Sequence, residues 1–181
     1  MNKIIACASI KPELDHVKGD ADDVIIKYLP QNLHRDPTKL KKILQDAIDN
    51  MSSENGKVIL GFGLCSNAIV DIKAPKQGLY VPRVHDCITF YLGSREKYKN
   101  LFSKYPGTYY LTKSWINDNK DPLGLVENEY TERVGREMAE ETMQQEIKNY
   151  KYISFVNTAG NNAKKFSERA KKMQNILIKN I

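Results

Sequence analysis

The sequence predicts an α/β protein of three layers, in which a mostly parallel sheet of about six strands carries helices on both faces. Short apolar or β-branched runs alternate with amphipathic helical segments along the 181 residues. Helices separate successive strands, as parallel pairing requires. No repeat, low-complexity linker or composition break interrupts this alternation. We therefore expect a single α/β domain over residues 1–181.

The first half of the chain predicts three strands and a well-marked helix. Residues 3–8 form a short apolar run, which is typical of a strand buried on both faces. Residues 23–29 are rich in β-branched side chains and predict a second strand. Asp36 and Pro37 then begin a helix as its N-cap and first residue. Residues 57–62 predict the third strand.

The second half continues the same alternation. Residues 79–84 predict a fourth strand, which Pro82 makes short or bulged. A helix capped by Ser94 follows it. The remaining predictions, in order, are a strand at 108–112, a long helix from Leu125 to Tyr150, a strand at 152–156, and a final helix carrying Phe166 and Met173.

Charge and apolar content restrict the class of protein. The chain has 28 Lys and Arg against 22 Asp and Glu, a net charge of +6. Most of the excess Lys and Arg residues lie on two predicted helices, opposite their apolar stripes, as on a solvated surface. No aromatic residues interleave with these basic residues to stack on bases. Nucleic acid is therefore a disfavoured partner. No apolar run approaches the ~18 residues of a membrane span, and the first residues are too short for a signal peptide. We expect a cytoplasmic protein without a membrane anchor.

The three cysteines, which are too few for a disulfide framework, all fall at predicted strand ends. Cys7 ends the first strand, Cys65 comes three residues after the third, and Cys87 follows the fourth. His34 and His85 follow the second and fourth strands. Because the carboxyl ends of parallel strands meet at one edge of a sheet, we expect these side chains to lie together.

Three thiolates and one imidazole are a ligand set that suits zinc, and sulfur donors also suit iron–sulfur clusters or copper(I). The paired Cys-x2-Cys of a zinc ribbon is absent, so the fold must assemble the site. The fourth ligand is either His85 or His34. Two other readings stay open: a metal-free nucleophile formed by Cys87 with one of these histidines, and plain packing of small buried thiols.

Other residues near these strand ends are candidates for binding a substrate. Gly63 belongs to a glycine-containing run before Cys65 and favours a pocket with close backbone approach. Arg83 beside the His85 turn suits a carboxylate or phosphate, or an ion pair with a buried acid. Trp115, after the fifth strand, is either a lid residue or a packing anchor.

Several segments, taken together, resemble one family of conserved bacterial and archaeal proteins classed as a domain of unknown function. The resemblance covers nearly the whole chain, and its Gly-Leu-Cys and His-Asp-Cys parts are the most specific. The segments are Ala6-Cys7 with Lys11-Pro12-Glu13-Leu14, Leu33-His34-Arg35 with Pro37, Leu60-Gly61-Phe62-Gly63-Leu64-Cys65, Pro82-Arg83-Val84-His85-Asp86-Cys87, Leu92-Gly93-Ser94-Arg95, and Pro106-Gly107-Thr108-Tyr109-Tyr110-Leu111-Thr112 with Trp115.

Members of that family often occur beside, or fused to, corrinoid-dependent methyltransferases in anaerobic one-carbon metabolism. The resemblance implies candidate metal ligands and a set of residues around them. The ligands are Cys7, Cys65, His85 and Cys87, and the surrounding residues are His34, Arg35 and Arg83. It also implies, by association alone, a role in methyl transfer, corrinoid handling, or delivery of a metal or cluster.

Three hypotheses follow from the residues and the resemblance. The first is a zinc- or iron–sulfur-binding protein that supports corrinoid-linked methyl metabolism. The second is a metal-free enzyme with a reactive Cys/His pair. The third is a non-catalytic binding or chaperone partner of a corrinoid-dependent methyltransferase or corrinoid protein. Whether the protein is an enzyme is left open by the sequence.

Overall fold

Six strands form two parallel sheets in the structure, a computed structural model that describes residues 1–51, 56–158 and 163–178. The chain divides into two compact units, Met1–Arg95 and Glu96–Ile181. The first contains a four-stranded sheet and the second a two-stranded sheet. The mixed α/β class and the parallel pairing are confirmed. One continuous six-stranded sheet between two helical layers is not confirmed, and the single domain stays a prediction.

The four-stranded sheet of the first unit has β1 near its centre. Its strands are β1 Asn2–Cys7, β2 Val24–Leu29, β3 Val58–Gly61 and β4 Leu79–Tyr80, arranged in the order β2-β1-β3-β4. All three neighbouring pairs are parallel, and Ala6 lies beside Gly61 in the register. The fourth strand is much shorter than predicted. Beyond it, the N–H of Val84 donates to the carbonyl of Pro82 (2.9 Å), so the chain turns instead of continuing the strand.

Helices of the first unit cover this sheet and connect its strands. They are α1 Lys11–Lys18, α2 Pro37–Met51 and α3 Cys87–Leu92, with 3-10 turns at Ala8–Ile10 and Gln31–Arg35. The predicted cap of α2 is confirmed, because the Asp36 carboxylate accepts a hydrogen bond from the N–H of Lys39 (2.9 Å). The apolar face of α2 packs on the sheet to form the core. That core includes Ile5, Leu40, Leu44, Ala47, Ile48, Val58 and Leu60.

The second unit is built around two parallel strands, β5 Thr108–Leu111 and β6 Tyr152–Phe155. Its core contains Leu111 with residues from two helices, namely Ile116, Phe166 and Met173. The helices that follow α3 are α4 Arg95–Lys104, α5 Lys113–Asn117, α6 Pro122–Leu125, α7 Thr131–Val134, α8 Arg136–Ile147 and α9 Ala163–Ile178, with a π-helical turn at Val126–Tyr130.

The single long helix predicted from Leu125 to Tyr150 is wrong. Gly135 interrupts it with a φ of +81°, between the end of α7 and the start of α8. A glycine adopts this left-handed backbone without steric cost, whereas a helix interior requires a negative φ. The apolar stripe through Tyr130, Val134 and Met138 therefore spans two helices.

A buried ion pair ties α9 to the start of α6. Asp121 is 0% exposed, and its carboxylate accepts hydrogen bonds from Nε (3.0 Å) and Nη2 (3.4 Å) of Arg169. Asp121 also caps α6 through the N–H of Gly124 (3.4 Å). Arg169 further contacts Glu127, with Nη2 3.2 Å from Oε2. The pair is part of the framework of the second unit. Among all helices that the structure describes, none has the length and apolar character needed to cross a membrane.

Candidate functional site

Cys7 and Ser9 form the part of the site that comes from β1. Cys7 is the last residue of that strand, and Ser9 lies in the 3-10 turn that follows. The Ser9 hydroxyl donates to the Cys7 sulfur over 3.1 Å. The same hydroxyl is also hydrogen-bonded to the thiol of Cys87. One buried hydroxyl therefore contacts sulfurs from two separate segments of the chain.

Two glycines allow the segment that carries Cys65 to lie close against its neighbours. A Cβ on Gly61 would stand 2.6 Å from the Cβ of Ala6 on β1. A Cβ on Gly63 would stand 2.7 Å from both the Cα and the N of Asp86. Real Cβ atoms do not approach other atoms this closely. The prediction of close backbone approach at Gly63 is consistent with this geometry, and the approaching chain is the segment that carries Cys87.

The loop after β3 continues alongside the segment after β4. The N–H of Leu64 donates to the carbonyl of Val84 (3.3 Å), and the N–H of Cys65 donates to that of His85 (3.4 Å). Cys65 then has a φ of +45° and is followed by two further left-handed residues, Ser66 and Asn67. Such conformations cost roughly 1–2 kcal/mol each outside glycine. The surrounding contacts hold Cys65 in a backbone geometry that a free chain avoids.

Cys87 is the first residue of α3, directly after the helix cap Asp86. The Asp86 carboxylate accepts hydrogen bonds from the N–H groups of Ile88 (3.0 Å) and Thr89 (3.3 Å). One turn further along α3, the Tyr91 hydroxyl donates to the carbonyl of Ser9. This helix is thus joined to the end of β1, which brings Cys87 to the segment that carries Cys7.

Burial raises the pKa values of the three thiols, and the charges of neighbouring groups raise those of Cys65 and Cys87 further. Burial is the main cause for each of them. The pKa of Cys65 is raised to about 11, with the charge of Cys7 as the next cause. The pKa of Cys87 is raised to about 12, with further contributions from Cys7, Asp86 and Cys65. The charge of Cys7 thus acts on both other thiols, and the Asp86 carboxylate adds to the negative potential at Cys65 and Cys87. The convergence of the three sulfurs on one centre stays a prediction.

The two candidate histidines are placed differently from the thiols. The His85 side chain is 74% exposed, and its Nδ1 lies 3.5 Å from an oxygen of Asp86. The Nδ1 of His34 lies 2.7 Å from the carbonyl of Gln31, within its own 3-10 turn. The choice of either imidazole as fourth ligand stays a prediction. Within the described residues, no group of three or more His, Cys, Asp or Glu side chains is arranged so that it could hold a metal ion.

The remaining candidates lie on exposed segments or in the other unit. Arg35 ends the 3-10 turn after β2 and is exposed, and Arg83 is exposed on the segment between β4 and α3. Both guanidinium groups are therefore accessible to an anionic molecule. Trp115 belongs to the second unit, where it lies partly buried on α5. Roles in substrate binding stay predictions for all three residues.

The family described as "Protein of unknown function (DUF1638)" matches residues 28–180. The chain belongs to the DUF1638 family. The predicted membership of a family of unknown function is thus confirmed. Within DUF1638, the match includes Cys65, His85 and Cys87, whereas Cys7 precedes it. Comparison with curated proteins found no match, and neither did comparison with solved structures.

Two residues of this DUF1638 protein were missed as site residues by the sequence analysis. Ser9 contacts two thiols, and Asp86 raises the pKa of two. The available signals were weak. Ser9 lies two residues after Cys7, so a turn between them can bring the Ser9 hydroxyl close to the Cys7 sulfur. Asp86 occupies the cap position before an unpredicted six-residue helix, and Asp is a preferred residue there.

We expect the thiols of the metal-free DUF1638 protein to alkylate slowly near neutral pH. With a pKa of about 11, only about one Cys65 side chain in ten thousand is a thiolate at pH 7. The labelling rate should rise about tenfold per pH unit between about pH 7 and pH 9.5, because the thiolate is the nucleophile. Iodoacetamide labelling with mass spectrometry of each cysteine measures this, and the urea-unfolded protein is the control. A thiol that reacts faster when folded than when unfolded would contradict it.

Proposed function

We propose that the first unit binds a soft metal ion, such as zinc, or an iron–sulfur cluster through the thiolates of Cys7, Cys65 and Cys87. The observation that carries this proposal is that hydrogen bonds join the three segments: the N–H of Cys65 donates to the carbonyl of His85, and the hydroxyl of Tyr91 on α3 donates to the carbonyl of Ser9, two residues after Cys7. Zinc and iron–sulfur clusters both accept three thiolate ligands together with one further ligand.

The charges of the group support a cationic ligand. An ionised Cys7 opposes the ionisation of Cys65 and Cys87, an ionised Cys65 opposes that of Cys87, and Asp86 adds a further negative charge beside both. A bound cation reverses this repulsion, and a thiol that coordinates a metal is deprotonated outright. The three sulfurs therefore suit a positively charged, thiophilic ligand better than an anionic or a neutral one.

Binding requires the cysteine side chains to turn toward one centre. The backbone already aligns the segments through the Leu64–Val84 and Cys65–His85 hydrogen bonds. A cysteine has a single side-chain torsion with three staggered positions, so rotation alone moves each sulfur. His85, two residues before Cys87, or His34 then completes the ligand set.

In this proposal the bound group acts as a Lewis acid toward a substrate thiol or amine, or carries an electron if it is an iron–sulfur cluster. The exposed Arg35 and Arg83 and the partly buried His34 orient an anionic part of the substrate. The setting is the corrinoid-linked methyl metabolism implied by the family resemblance, with a corrinoid-dependent methyltransferase or corrinoid protein as partner.

Elemental analysis of anaerobically purified protein tests the proposal. We expect close to one metal site filled per chain, and a loss of most of the metal in Cys65→Ser and in Cys87→Ser. Met143→Leu is the control, because it conserves volume at a buried position of the second unit. Less than about 0.2 metal per chain, unchanged by Cys65→Ser, would contradict the proposal.

The metal-free enzyme is less well supported as an alternative. A nucleophilic cysteine needs a lowered pKa, commonly from an adjacent imidazolium. Here burial raises the pKa of all three thiols, repulsion raises those of Cys65 and Cys87 further, and the His85 ring is exposed beside Asp86. The non-catalytic partner stays a separate alternative. Retention of a methyltransferase in pull-downs by a variant without the three cysteines would favour it.

A further inference from the structure

We infer that Ser9 is a positioning residue of the thiol site, whose hydroxyl links the segments that carry Cys7 and Cys87. This inference rests on the proposed function, since it assigns a residue that prepares the same site for its metal. It concerns a side chain outside the expected ligand set. Three observations support the inference: the contacts of Ser9, its burial, and the chemistry of a hydroxyl between two thiols.

The Ser9 hydroxyl lies between the two segments that carry these cysteines. Ser9 is 1% exposed, so water does not compete for its hydrogen bonds. Its hydroxyl donates to the sulfur of Cys7 at 3.1 Å and is hydrogen-bonded to the thiol of Cys87 as well. Because Cys7 ends β1 and Cys87 begins α3, this one hydroxyl connects the two segments.

The backbone of Ser9 is held on both sides, which keeps the hydroxyl in place. Its N–H donates to the sulfur of Cys7. Its carbonyl accepts a hydrogen bond from the hydroxyl of Tyr91. Tyr91 lies one turn after Cys87 on α3, so this helix is tied to Ser9 at two points. A shift of α3 relative to the end of β1 would break contacts at both points.

A hydroxyl suits this position in both protonation states of the thiols. It has one proton to donate and two lone pairs to accept. In the metal-free state it donates to the sulfur of Cys7, and its hydrogen bond to Cys87 lowers the pKa of that thiol. With thiolates bound to a metal, it donates to a charged sulfur, which makes a stronger hydrogen bond. Groups that orient metal ligands in this way typically change metal affinity by about 10–100-fold.

The test compares Ser9→Ala with Ser114→Ala, which removes another buried hydroxyl, in the second unit. Zinc affinity is measured by chelator competition, and the sulfur-to-cadmium absorption band reports how many thiolates bind. We expect Ser9→Ala to lose about 10–100-fold in zinc affinity and part of the cadmium band, because the hydroxyl no longer links the segments of Cys7 and Cys87. Ser114→Ala should keep both. Parental affinity and an unchanged band in a folded Ser9→Ala protein would overturn the inference.

A metal-free measurement separates this inference from the proposed function. Alkylation of each cysteine is followed by mass spectrometry in the parental protein and in Ser9→Ala. We expect the rates of Cys7 and Cys87 to change at least threefold relative to that of Cys65. If the parental protein binds neither zinc nor cadmium, the proposed function fails. The alkylation rates alone then show whether Ser9 positions the thiols. Equal changes at all three cysteines, or none, would overturn the inference.

A second variant covers the case in which Ser9→Ala does not fold. Tyr91→Phe removes the hydrogen bond to the Ser9 carbonyl and leaves the Ser9 hydroxyl in the chain. We expect Tyr91→Phe to weaken zinc binding severalfold. We also expect it to change the labelling rates of Cys7 and Cys87 in the same direction as Ser9→Ala does. Phe90→Leu, on the same helix, is the matched control. If Tyr91→Phe leaves both readouts at the parental level, the inference is overturned.

Discussion

Gly63→Ala should disable the thiol site and destabilise the first unit. The added Cβ would stand 2.7 Å from the Cα and N of Asp86 and 2.8 Å from the carbonyl carbon of His85. These are backbone atoms, which cannot rotate away as a flexible side chain can. The two segments must separate, and the hydrogen bond from Cys65 to His85 is lost with that movement. We expect a cost of about 1–3 kcal/mol in urea unfolding and at least a tenfold loss of zinc affinity.

Gly19→Ala is the matched control for this substitution. Gly19 lies in the same unit, and an added Cβ there meets nothing within 4 Å. Its φ of +51° with a ψ of −133° means that an alanine there adds backbone strain of about 1–3 kcal/mol without a steric clash. We expect zinc affinity to stay at the parental value. If Gly63→Ala also kept the parental zinc affinity, close approach of the two segments would not be a requirement of the site.

Arg169→Met should destabilise the second unit by about 3–5 kcal/mol, because it leaves a buried carboxylate without its partner. Asp121 is 0% exposed, and Arg169 is 19% exposed, so water replaces the lost hydrogen bonds only in part. Both oxygens of Asp121 lose a charged donor. Urea unfolding measures the total loss. Hydrogen exchange of the amides in β5 and β6 shows whether that loss is located in the second unit.

Arg133→Met provides the comparison for an exposed pair. Arg133 is 71% exposed and its Nη1 lies 3.8 Å from Glu129, the ordinary geometry of a surface ion pair. Such pairs contribute about 0–1 kcal/mol. A cost for Arg169→Met no larger than that for Arg133→Met would mean that the Asp121–Arg169 pair does not stabilise the fold.

The strands were predictable because their signal is local. The strands at residues 2–7, 24–29, 108–111 and 152–155 begin and end within one residue of the predicted bounds. Apolar and β-branched runs specify a buried strand regardless of which sheet receives it. Their division between two sheets was not predictable in this way, because pairing depends on contacts far apart in sequence. The break at Gly135 was missed because the apolar spacing continues across it.

The expectation that the cysteines lie near one another rests on topology, whereas the arrangement of the side chains around them could not be predicted. Parallel strands bring their carboxyl ends to one edge, so residues at strand ends converge whatever their side chains are. The orientation of His85 depends on its own rotamer and on Asp86, which sequence spacing does not encode. The contacts of Ser9 depend on a 3-10 turn of three residues, too short to leave a periodic signal.

The order of strands β2-β1-β3-β4 has a consequence for biosynthesis. Because translation runs from the N-terminus, β1 leaves the ribosome before either of its neighbours, and its edges have no partner strand until β2 and then β3 have been made. Cys87 is the last of the three thiols to be synthesised, eighty residues after Cys7. The nascent chain therefore presents Cys7 to the cell as an isolated thiol. Any metal or cluster that needs all three sulfurs is acquired only after the whole sheet of the first unit has emerged.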